Sequence, residues 1–456
     1  MRILLIVENC TFRRDPRVRG EAKALHSAGH RVSVVCPQEN QRPWYERIDG
    51  VAVYGFPPLH AGISAWGYFL EYIYATLAIA VLSLVVLVRE NFDVIHVANA
   101  PDTLVLTTIL YKLLGKRIIY DQHDLCPELY SAKFSHFNPQ VSRLLLWLER
   151  KSYALADHVI TANERYKQIA ITRGRIPKSK ITVVRNGPDL ESLSVQDVDV
   201  ELRSRSRNII VYTGVIGFQD GLDCLCRILH RLRYDLGRED FCCVVIGDGD
   251  ALPRVKALAH ELQLGENVWF TGWINDSETY LRYLNTGDIC VSPEPSNEYN
   301  DQSTFVKIME YMAVGKPIVS FDLAETRFSA QDSALYVRAN DEREFAVQTA
   351  RLMDDPVLRS ELGQRGQSRI REELAWQYSI PKLLHAYDKC LKVGEVSWKS
   401  LNTRAAGTTA DNKPDGDTGS KFDVVQTITQ FHPPQVLPSC AGEAQHFEQL
   451  SEEDHI

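Results

Sequence analysis

The chain alternates between short apolar runs and longer stretches with helical spacing from its first residues onward. Most of these runs are continuous instead of alternating, which is typical of parallel strands buried on both faces of a sheet. The stretches between them are long enough for the crossover helices that parallel strands require. The strands predicted in the first half are residues 3–7, 31–36, 93–97, 117–120, 158–161 and 181–184.

The same pattern restarts after a polar stretch at residues 189–207. We therefore predict an α/β protein with two doubly wound, Rossmann-like parallel-sheet domains that face each other across a cleft. In such sheets ligands bind beyond the carboxyl ends of the strands, so the cleft is the predicted site. The strands predicted in the second half are residues 208–212, 241–246, 268–271, 289–292 and 317–321.

The pattern also sets the expected boundaries. We predict a first domain at 1–190, a linker at 191–207 and a second domain at 208–375. Residues 394–456 change to a composition rich in Gly, Thr, Asp, Asn, Pro and Ser, which predicts a disordered tail.

One apolar segment, residues 66–88, has three possible interpretations. Residues 72–88 are 17 positions without a charge, whereas about 20 are needed to cross a bilayer. The segment can be a buried helix, a helix that also touches the membrane interface, or a true span. A span would place the neighbouring strands on opposite sides of the membrane and destroy the first sheet. The aromatic residues at its start suit the interface.

Composition narrows the class of protein. With 456 residues, of which 45% are hydrophobic, the chain is long enough for two domains with full cores. Its net charge of −8 argues against nucleic-acid binding. Ten cysteines without a C-x-x-C pair predict reduced thiols in a cytosolic protein. The start, MRILLIVEN, is predicted to be the first strand and not a secretion signal.

The most informative stretch is residues 291–322, VSPEPSNEYNDQSTFVKIMEYMAVGKPIVSFD. It predicts a strand, a loop, a helix and a second buried strand. A helix that begins beyond the carboxyl end of a parallel strand is an anion site, because its free amides and its dipole face the crevice. Glu310 lies inside that helix, where its carboxylate is able to hold sugar hydroxyls.

The run KIMEYMAVGKPIV resembles the nucleotide-sugar motif of the retaining glycosyltransferases of family 4, which have the two-domain glycosyltransferase-B fold. In that family two glutamates flank seven residues. The resemblance implies that Glu310 holds the ribose of the donor, whereas the position of the first glutamate, which contacts the donor sugar, is Gln302. It also implies that a helix at 376–393 crosses back to the first domain.

Glycine-rich turns are expected to complete the donor site. Gly214 and Gly217 let the backbone approach a phosphate at a strand-to-helix turn. Family members commonly place an arginine and a lysine in this turn, but this chain has other residues there, so Lys307 is the predicted cation for the leaving diphosphate and Arg185 the weaker candidate. The resemblance further implies that Gly247, Gly249 and Trp273 line the nucleotide pocket.

In the first domain, residues 121–128, DQHDLCPE, follow a predicted strand. The resemblance matches His123 with the family's active-site histidine, and a histidine here can donate a hydrogen bond to a sugar hydroxyl or phosphate near the reacting carbon. Asp124 and Glu128 are expected to orient His123 or to bind acceptor hydroxyls.

Residues 12–20, FRRDPRVRG, follow the first strand. Arg13, Arg14 and Arg17 concentrate positive charge where we expect the mouth of the cleft. They can receive a pyrophosphate-linked acceptor or the donor phosphates, or they can form a solvated basic turn.

These features predict a retaining hexosyltransferase. The expected donor is a nucleoside diphosphate sugar, with UDP as its nucleotide, and the expected acceptor is a lipid-linked polyprenyl diphosphate sugar of bacterial exopolysaccharide or O-antigen assembly. No cofactor, metal or nucleic acid is expected, and the enzyme is expected to be cytoplasmic and peripheral on the membrane surface. The alternatives are a nucleotide-sugar epimerase or hydrolase of the same fold, and a noncatalytic glycosyltransferase-like subunit.

Overall fold

The computed structural model describes residues 1–39, 41–59, 65–134, 138–190 and 197–391. The predicted tail, 394–456, and residues 191–196 of the predicted linker lie outside the described residues.

The first sheet has eight strands, of which all but one run parallel. They are β1 (Arg2–Ile6), β2 (Arg31–Pro37), β3 (Tyr45–Ile48), β4 (Val51–Phe56), β5 (Val94–Ala98), β6 (Arg117–Gln122), β7 (His158–Thr161) and β8 (Ile181–Val183). Their spatial order is β3-β4-β2-β1-β5-β6-β7-β8, and β3 is antiparallel to β4. The accompanying α-helices are α1 (Pro16–Ser27), α2 (Ala65–Arg89), α3 (Ile109–Leu113), α4 (Cys126–Lys133), α5 (Pro139–Leu155) and α6 (Glu164–Thr172).

The second sheet is six-stranded and parallel throughout. Its strands are β9 (Asn208–Thr213), β10 (Phe241–Ile246), β11 (Val268–Gly272), β12 (Ile289–Ser292), β13 (Ile318–Phe321) and β14 (Ala334–Val337). Their order is β11-β10-β9-β12-β13-β14. The helices of this half are α7 (Val200–Arg205), α8 (Leu222–His230), α9 (Leu252–Glu261), α10 (Ser277–Thr286), α11 (Val306–Ala313), α12 (Ala324–Ala330), α13 (Glu342–Asp354), α14 (Pro356–Arg369) and α15 (380–391).

Both sheets contain a point where the direction of winding reverses. In the first sheet β1 lies between β2 and β5, and in the second β9 lies between β10 and β12. Loops that leave such a point diverge to opposite faces and open a crevice, which is where ligands bind in open α/β sheets. The predicted fold class is confirmed, and each predicted strand is present.

The last described residues of the chain pack on the first domain. The backbone N–H of Trp376 donates to the carbonyl of Pro188 at 3.0 Å. Helix α15 then buries Leu383, Ala386 and Tyr387 in the same hydrophobic cluster as the first strands. The last helix therefore packs beneath the sheet that carries His123.

Helix α2 packs its inner face on the first sheet and leaves its outer face open. Ala75, Ile79 and Val86 are buried against the sheet. The helix is long and apolar enough to cross a membrane, with a mean hydropathy of 2.2, yet only 22% of that apolar stretch is buried. The outer face presents Trp66, Leu70, Ile73, Leu77, Val81, Leu84 and Val88, all exposed.

The described cysteines are free thiols. All of them except Cys10 are buried in the two cores.

Candidate active site

A buried ion pair organises the first-domain side of the cleft. Arg17, near the start of α1, binds Asp121 at the end of β6 through two hydrogen bonds, Nη2 to Oδ1 at 2.7 Å and Nε to Oδ2 at 2.9 Å. The same guanidinium donates to the carbonyl of Val184 at 2.8 Å and to Oδ1 of Asn186 at 2.6 Å. A bidentate arginine fixes the plane of the carboxylate as well as its position.

His123 is held by that carboxylate. Its Nε2 lies 2.7 Å from Asp121 Oδ2, and its backbone N–H donates to Oδ1 of Asn99 at 2.7 Å. Nε2 also lies 3.0 Å from Arg17 Nε, but its contact with the carboxylate is shorter, so we assign the proton to Nε2 and leave Nδ1 for a ligand. The imidazole side chain is 14% exposed, so it is within reach of a ligand.

The electrostatics favour a protonated His123. Burial opposes the charged form, but the Asp121 carboxylate outweighs burial and raises the pKa of His123. Burial alone would raise the pKa of Asp121. Arg17 and His123 together outweigh burial and hold the pKa of Asp121 well below its usual range. Both shifts favour an imidazolium beside a carboxylate.

The three arginines predicted to form one cluster at the mouth of the cleft lie in three different environments. Arg17 is only 6% exposed and its guanidinium is used inside the domain, so it does not lie at the mouth as the sequence predicted. Arg13 is paired with Glu46 at 2.9 Å. Arg14 faces the second domain, where it donates to Oδ1 of Asn275 at 2.7 Å and lies over the ring of Trp273.

On the second-domain side, Lys307 lies against the turn that follows β9. Its Nζ donates to the hydroxyl of Tyr212 at 2.8 Å and to Oε1 of Glu294 at 2.6 Å. A Cβ added at Gly214 would stand 3.1 Å from Lys307 Nζ. The predicted cation and the predicted glycine turn are thus brought together by α11 and β9.

Glu310 stands one helical turn after Lys307 in α11. Its Oε2 accepts a hydrogen bond from the hydroxyl of Tyr280 in α10 at 2.8 Å. Burial raises the pKa of Glu310, against the opposing effect of Tyr280. The carboxyl group is fixed by one phenol and has further acceptor capacity for a ligand hydroxyl.

The glycines after β9 and β10 serve the contact between two loops. A Cβ at Gly247 would lie 1.8 Å from the carbonyl oxygen of Gly214, and one at Gly249 would lie 2.6 Å from that of Ile216. The two loops are joined by hydrogen bonds from the Gly214 N–H to Ile246 O and from the Ile216 N–H to Asp248 O, both at 3.0 Å. Gly217 lies in the same turn, where its N–H donates to Oδ2 of Asp220 at 2.8 Å.

Two other predicted residues lie where the domains meet. Asp124 accepts a hydrogen bond from the hydroxyl of Tyr299 at 2.7 Å, and burial raises the pKa of this carboxyl. Gln302, at the end of a short 3-10 helix, accepts through its backbone carbonyl from Nδ2 of Asn163 at 2.9 Å.

Glu128, which was expected to orient His123 or bind the acceptor, instead forms a short ion pair with Arg173 inside the first domain.

Two models of glycosyltransferase domains match the chain. The glycosyl transferase 4-like domain matches residues 15–187, which hold His123, and the glycosyl transferases group 1 domain matches residues 207–355, which hold Lys307 and Glu310. Together the two models show that the chain is a glycosyltransferase.

Curated relatives of this glycosyltransferase are themselves named as sugar transferases. The UDP-Gal:alpha-D-GlcNAc-diphosphoundecaprenol alpha-1,3-galactosyltransferase of Escherichia coli is 22% identical over 281 residues, or 59% of this chain and 68% of the relative. The lipopolysaccharide core biosynthesis glycosyltransferase LpsE of Rhizobium meliloti (strain 1021) is 28% identical over 145 residues, or 31% of this chain and 39% of the relative.

Solved structures agree on the fold of the glycosyltransferase. Sucrose-phosphate synthase from Thermosynechococcus elongatus superposes with a TM-score of 0.67 at 17% identity, covering 86% of this chain and 99% of that one. Anabaena HepE in complex with UDP and glucose gives 0.64 at 14% identity, covering 85% and 99%. At these identities the likeness establishes the glycosyltransferase-B fold.

Sequence reasoning missed several groups of this glycosyltransferase site. Glu294, which partners Lys307, follows β12 directly and could have been found as an acid at a strand end. Tyr280, which partners Glu310, carried no such signal because it lies 30 positions away in another helix. Glu8, directly beyond the first strand, is buried, and burial raises its pKa to about 8.

Proposed function

We propose that this glycosyltransferase moves a hexose from a UDP-sugar to an acceptor hydroxyl with retention of anomeric configuration. The observation that carries the proposal is the pairing of two built sites at the cleft: a fixed carboxyl and cation on α11, and a histidine held by Asp121 just beyond the end of β6. UDP is favoured because HepE was solved with UDP and the Escherichia coli relative is named for UDP-Gal.

On the donor side, two residues of α11 bind different parts of the nucleotide. Glu310 accepts hydrogen bonds from the ribose hydroxyls, with Tyr280 keeping the carboxyl in place. Lys307 and the free amides at the start of α11 neutralise the diphosphate as it leaves, which is preorganised electrostatic stabilisation. Trp273 and the loops of Gly214, Gly217, Gly247 and Gly249 border the nucleotide.

On the first-domain side His123 donates a hydrogen bond from Nδ1 to the donor sugar or to a phosphate oxygen close to the reacting carbon. Asp121 and Arg17 hold the imidazole in that orientation. Retention follows if the leaving phosphate oxygen accepts the proton of the incoming hydroxyl on the same face of the sugar. That route needs no protein nucleophile, and the groups proposed to meet the reacting phosphate, His123 and Lys307, are hydrogen-bond donors.

The acceptor in this proposal is a sugar carried on a polyprenyl diphosphate, in the assembly of bacterial exopolysaccharide or O-antigen. The Escherichia coli relative is named for an acceptor of this kind, a sugar on diphosphoundecaprenol. Arg14, which faces the cleft beside Trp273, is the arginine best placed to meet the acceptor's phosphates.

The outer face of α2 is the proposed contact with the membrane. Its exposed residues recur every three or four positions from Trp66 to Val88, which places them on one side of the helix. The surface continues on the neighbouring segment, since Thr76 bonds Thr103 at 3.0 Å and Ser83 bonds Tyr111 at 2.7 Å. That segment adds exposed Leu106, Ile109, Leu110, Leu113 and Leu114.

An apolar surface of this size on a domain that also holds the acceptor side of the cleft suits an enzyme at the cytoplasmic face of a bilayer. The inner face of α2 is packed on β1, β2 and β4, so the proposal is a helix lying on the membrane, and not one crossing it.

The test is the release of UDP by purified protein with a UDP-sugar and a synthetic polyprenyl diphosphate sugar. A transferase releases UDP in proportion to product only when the acceptor is present, and proton NMR of the product gives the anomeric configuration. Release without acceptor would indicate a hydrolase. No release with any donor that binds would indicate a noncatalytic subunit.

The donor is chosen beforehand by thermal shift against a panel of nucleotide sugars. A ligand that binds only the folded chain raises the melting temperature in line with RT ln(1 + [L]/Kd), so the preferred base and sugar give the largest shift.

A further inference from the structure

A buried polar cluster lies behind His123, on the side away from the cleft. His96 in β5 places Nε2 3.4 Å from Asp121 Oδ2 and 3.5 Å from Glu21 Oε2. Its Nδ1 is 2.8 Å from the hydroxyl of Tyr387 in α15. Glu21, in α1, places Oε1 3.4 Å from Arg17 Nε. The side chains of Glu21, His96 and Tyr387 are all buried.

This cluster is a poor way to stabilise a core. Both carboxyl oxygens of Glu21 and Nε2 of His96 are buried without a hydrogen-bond partner, and such atoms cost stability. Two carboxyl groups, Asp121 and Glu21, also share one guanidinium, that of Arg17. The excess negative charge has to attract a proton, in keeping with burial and Asp121 raising the pKa of Glu21 to about 7.

We propose that Glu21, His96 and Tyr387 are positioning residues that act on His123 through the Asp121 carboxylate. The proposal rests on the function proposed above for His123. It assigns a role in the site to α1, β5 and α15, none of which carries a group that meets the substrate in that function.

Nε2 of His96 lies beside two carboxyl groups, which favours the tautomer with the proton on Nε2. Nδ1 then accepts from the hydroxyl of Tyr387, which holds that tautomer. Asp121 thereby has a further donor near Oδ2, beside His123 and Arg17. When Glu21 is ionised it adds negative charge near His123 and favours the imidazolium. The other charged groups near His123 are Arg17, which opposes its protonation, Asp15 at the start of α1, which favours it, and the adjacent Asp124, a carboxyl whose charged form His123 stabilises.

The experiment is a pH titration of His123 by NMR in protein with carbon-13-labelled histidine. The resonance is assigned with His123→Gln, and the pKa of His123 is compared in wild type, Glu21→Gln and Tyr387→Phe. Glu149→Gln is the matched control, because Glu149 is also buried, its pKa is raised by burial to about 7, and its partner is another arginine, Arg173, at 2.6 Å.

We expect the two variants to move the pKa of His123 in opposite directions. Glu21→Gln removes negative charge and lowers it. Tyr387→Phe releases His96, leaves the Asp121 charge less compensated, and raises it. Glu149→Gln leaves it unchanged. The alkaline limb of the kcat profile should move with the pKa in each variant, while KM for the donor changes by less than about twofold.

An unchanged pKa of His123 in Tyr387→Phe, or equal shifts in all three variants, overturns the proposal and leaves the cluster a structural feature. If Glu21→Gln does not fold, Tyr387→Phe decides the matter alone. The titration is independent of activity. Normal turnover in His123→Ala would therefore remove the proposed function of His123 and still leave the NMR result to decide whether the cluster acts on it.

Discussion

At the scale of single residues, the site shows that residues of the same charge, close together in the sequence, can have different roles in the folded chain. Arg13, Arg14 and Arg17 look alike in the run FRRDPRVRG, but only Arg17 lies within reach of a buried carboxylate, 104 positions away. A buried cation needs such a partner, because desolvation would otherwise exclude it. The resemblance to a family motif indicated His123 and Glu310 as candidates, whereas the contacts that Asp121 and Tyr280 make with them became visible only in the folded chain.

Glu310→Ala is expected to weaken donor binding while the protein stays folded. The carboxylate is held by a single phenol and is free to accept from ribose hydroxyls, and hydrogen bonds to a charged group are worth about 1.5–3 kcal/mol, or roughly tenfold or more in Kd. Calorimetry with the UDP-sugar measures the loss. Glu278→Ala, an exposed acid on the same helix as Tyr280, serves as the control. Equal affinities of the wild type and Glu310→Ala would refute the assignment.

His123 gives the site a pH dependence. Its pKa is raised in the folded protein against the effect of burial, because of Asp121, so the protonated form persists above the usual range of histidine. Turnover should fall as the pH rises through this raised pKa. His123→Ala should lower kcat by about 10² or more at neutral pH with little change in donor affinity, and it should abolish that alkaline limb. Near-normal turnover in this variant would make His123 a structural residue.

At the scale of elements, helix α11 and the loop after β12 depend on each other through one ion pair. Lys307 meets Glu294 at 2.6 Å, and the Glu294 side chain is fully buried. Removing one partner of a buried pair leaves the other charge uncompensated. The structural and the catalytic effects of Lys307 can therefore be separated by also neutralising Glu294.

Lys307→Met alone should destabilise the protein by about 3–5 kcal/mol, because Glu294 loses its cation. The double variant Lys307→Met with Glu294→Gln should recover most of this loss in a denaturant titration. Turnover should stay low in both, since neither offers a cation to the leaving diphosphate. Recovery of turnover together with stability would show that Lys307 only supports Glu294.

The elements themselves were largely predictable, because parallel strands buried on both faces produce continuous apolar runs. Three strands were not predicted. β3 mixes charged and apolar residues and pairs antiparallel with β4, so it lacks that signal, whereas β4 (VAVYGF) and β14 (ALYV) are apolar runs that the same signal could have found. The helical end of the described chain is interrupted, since Pro356 begins α14 and the chain turns again before α15.

At the scale of the whole molecule, the two domains meet in polar contacts around the cleft, and one of them involves the start of α2. The hydroxyl of Tyr68 makes a short hydrogen bond to Asp250, in the loop after β10, and Lys133 of α4 reaches the same carboxylate at 3.0 Å. The helix proposed to lie on the membrane therefore also contacts a loop of the donor domain. In the proposed function, the acceptor would arrive from the bilayer beside α2, and the donor would bind beside the loop after β10. The contact between Tyr68 and Asp250 would then join the two sites.

The membrane proposal predicts how the protein fractionates. We expect it to sediment with vesicles of anionic and neutral lipids, to be released in part by high salt, and to be released fully by alkaline carbonate, because the apolar face of α2 inserts only to the depth of the interface. Leu77→Asp with Val81→Asp should abolish sedimentation and leave the melting temperature unchanged, since both residues are exposed. The matched control, Val200→Asp with Val357→Asp, removes exposed apolar groups from the second domain and should sediment like the wild type. Retention after carbonate would indicate a spanning helix, and no sedimentation of the wild type would indicate that its acceptor is soluble.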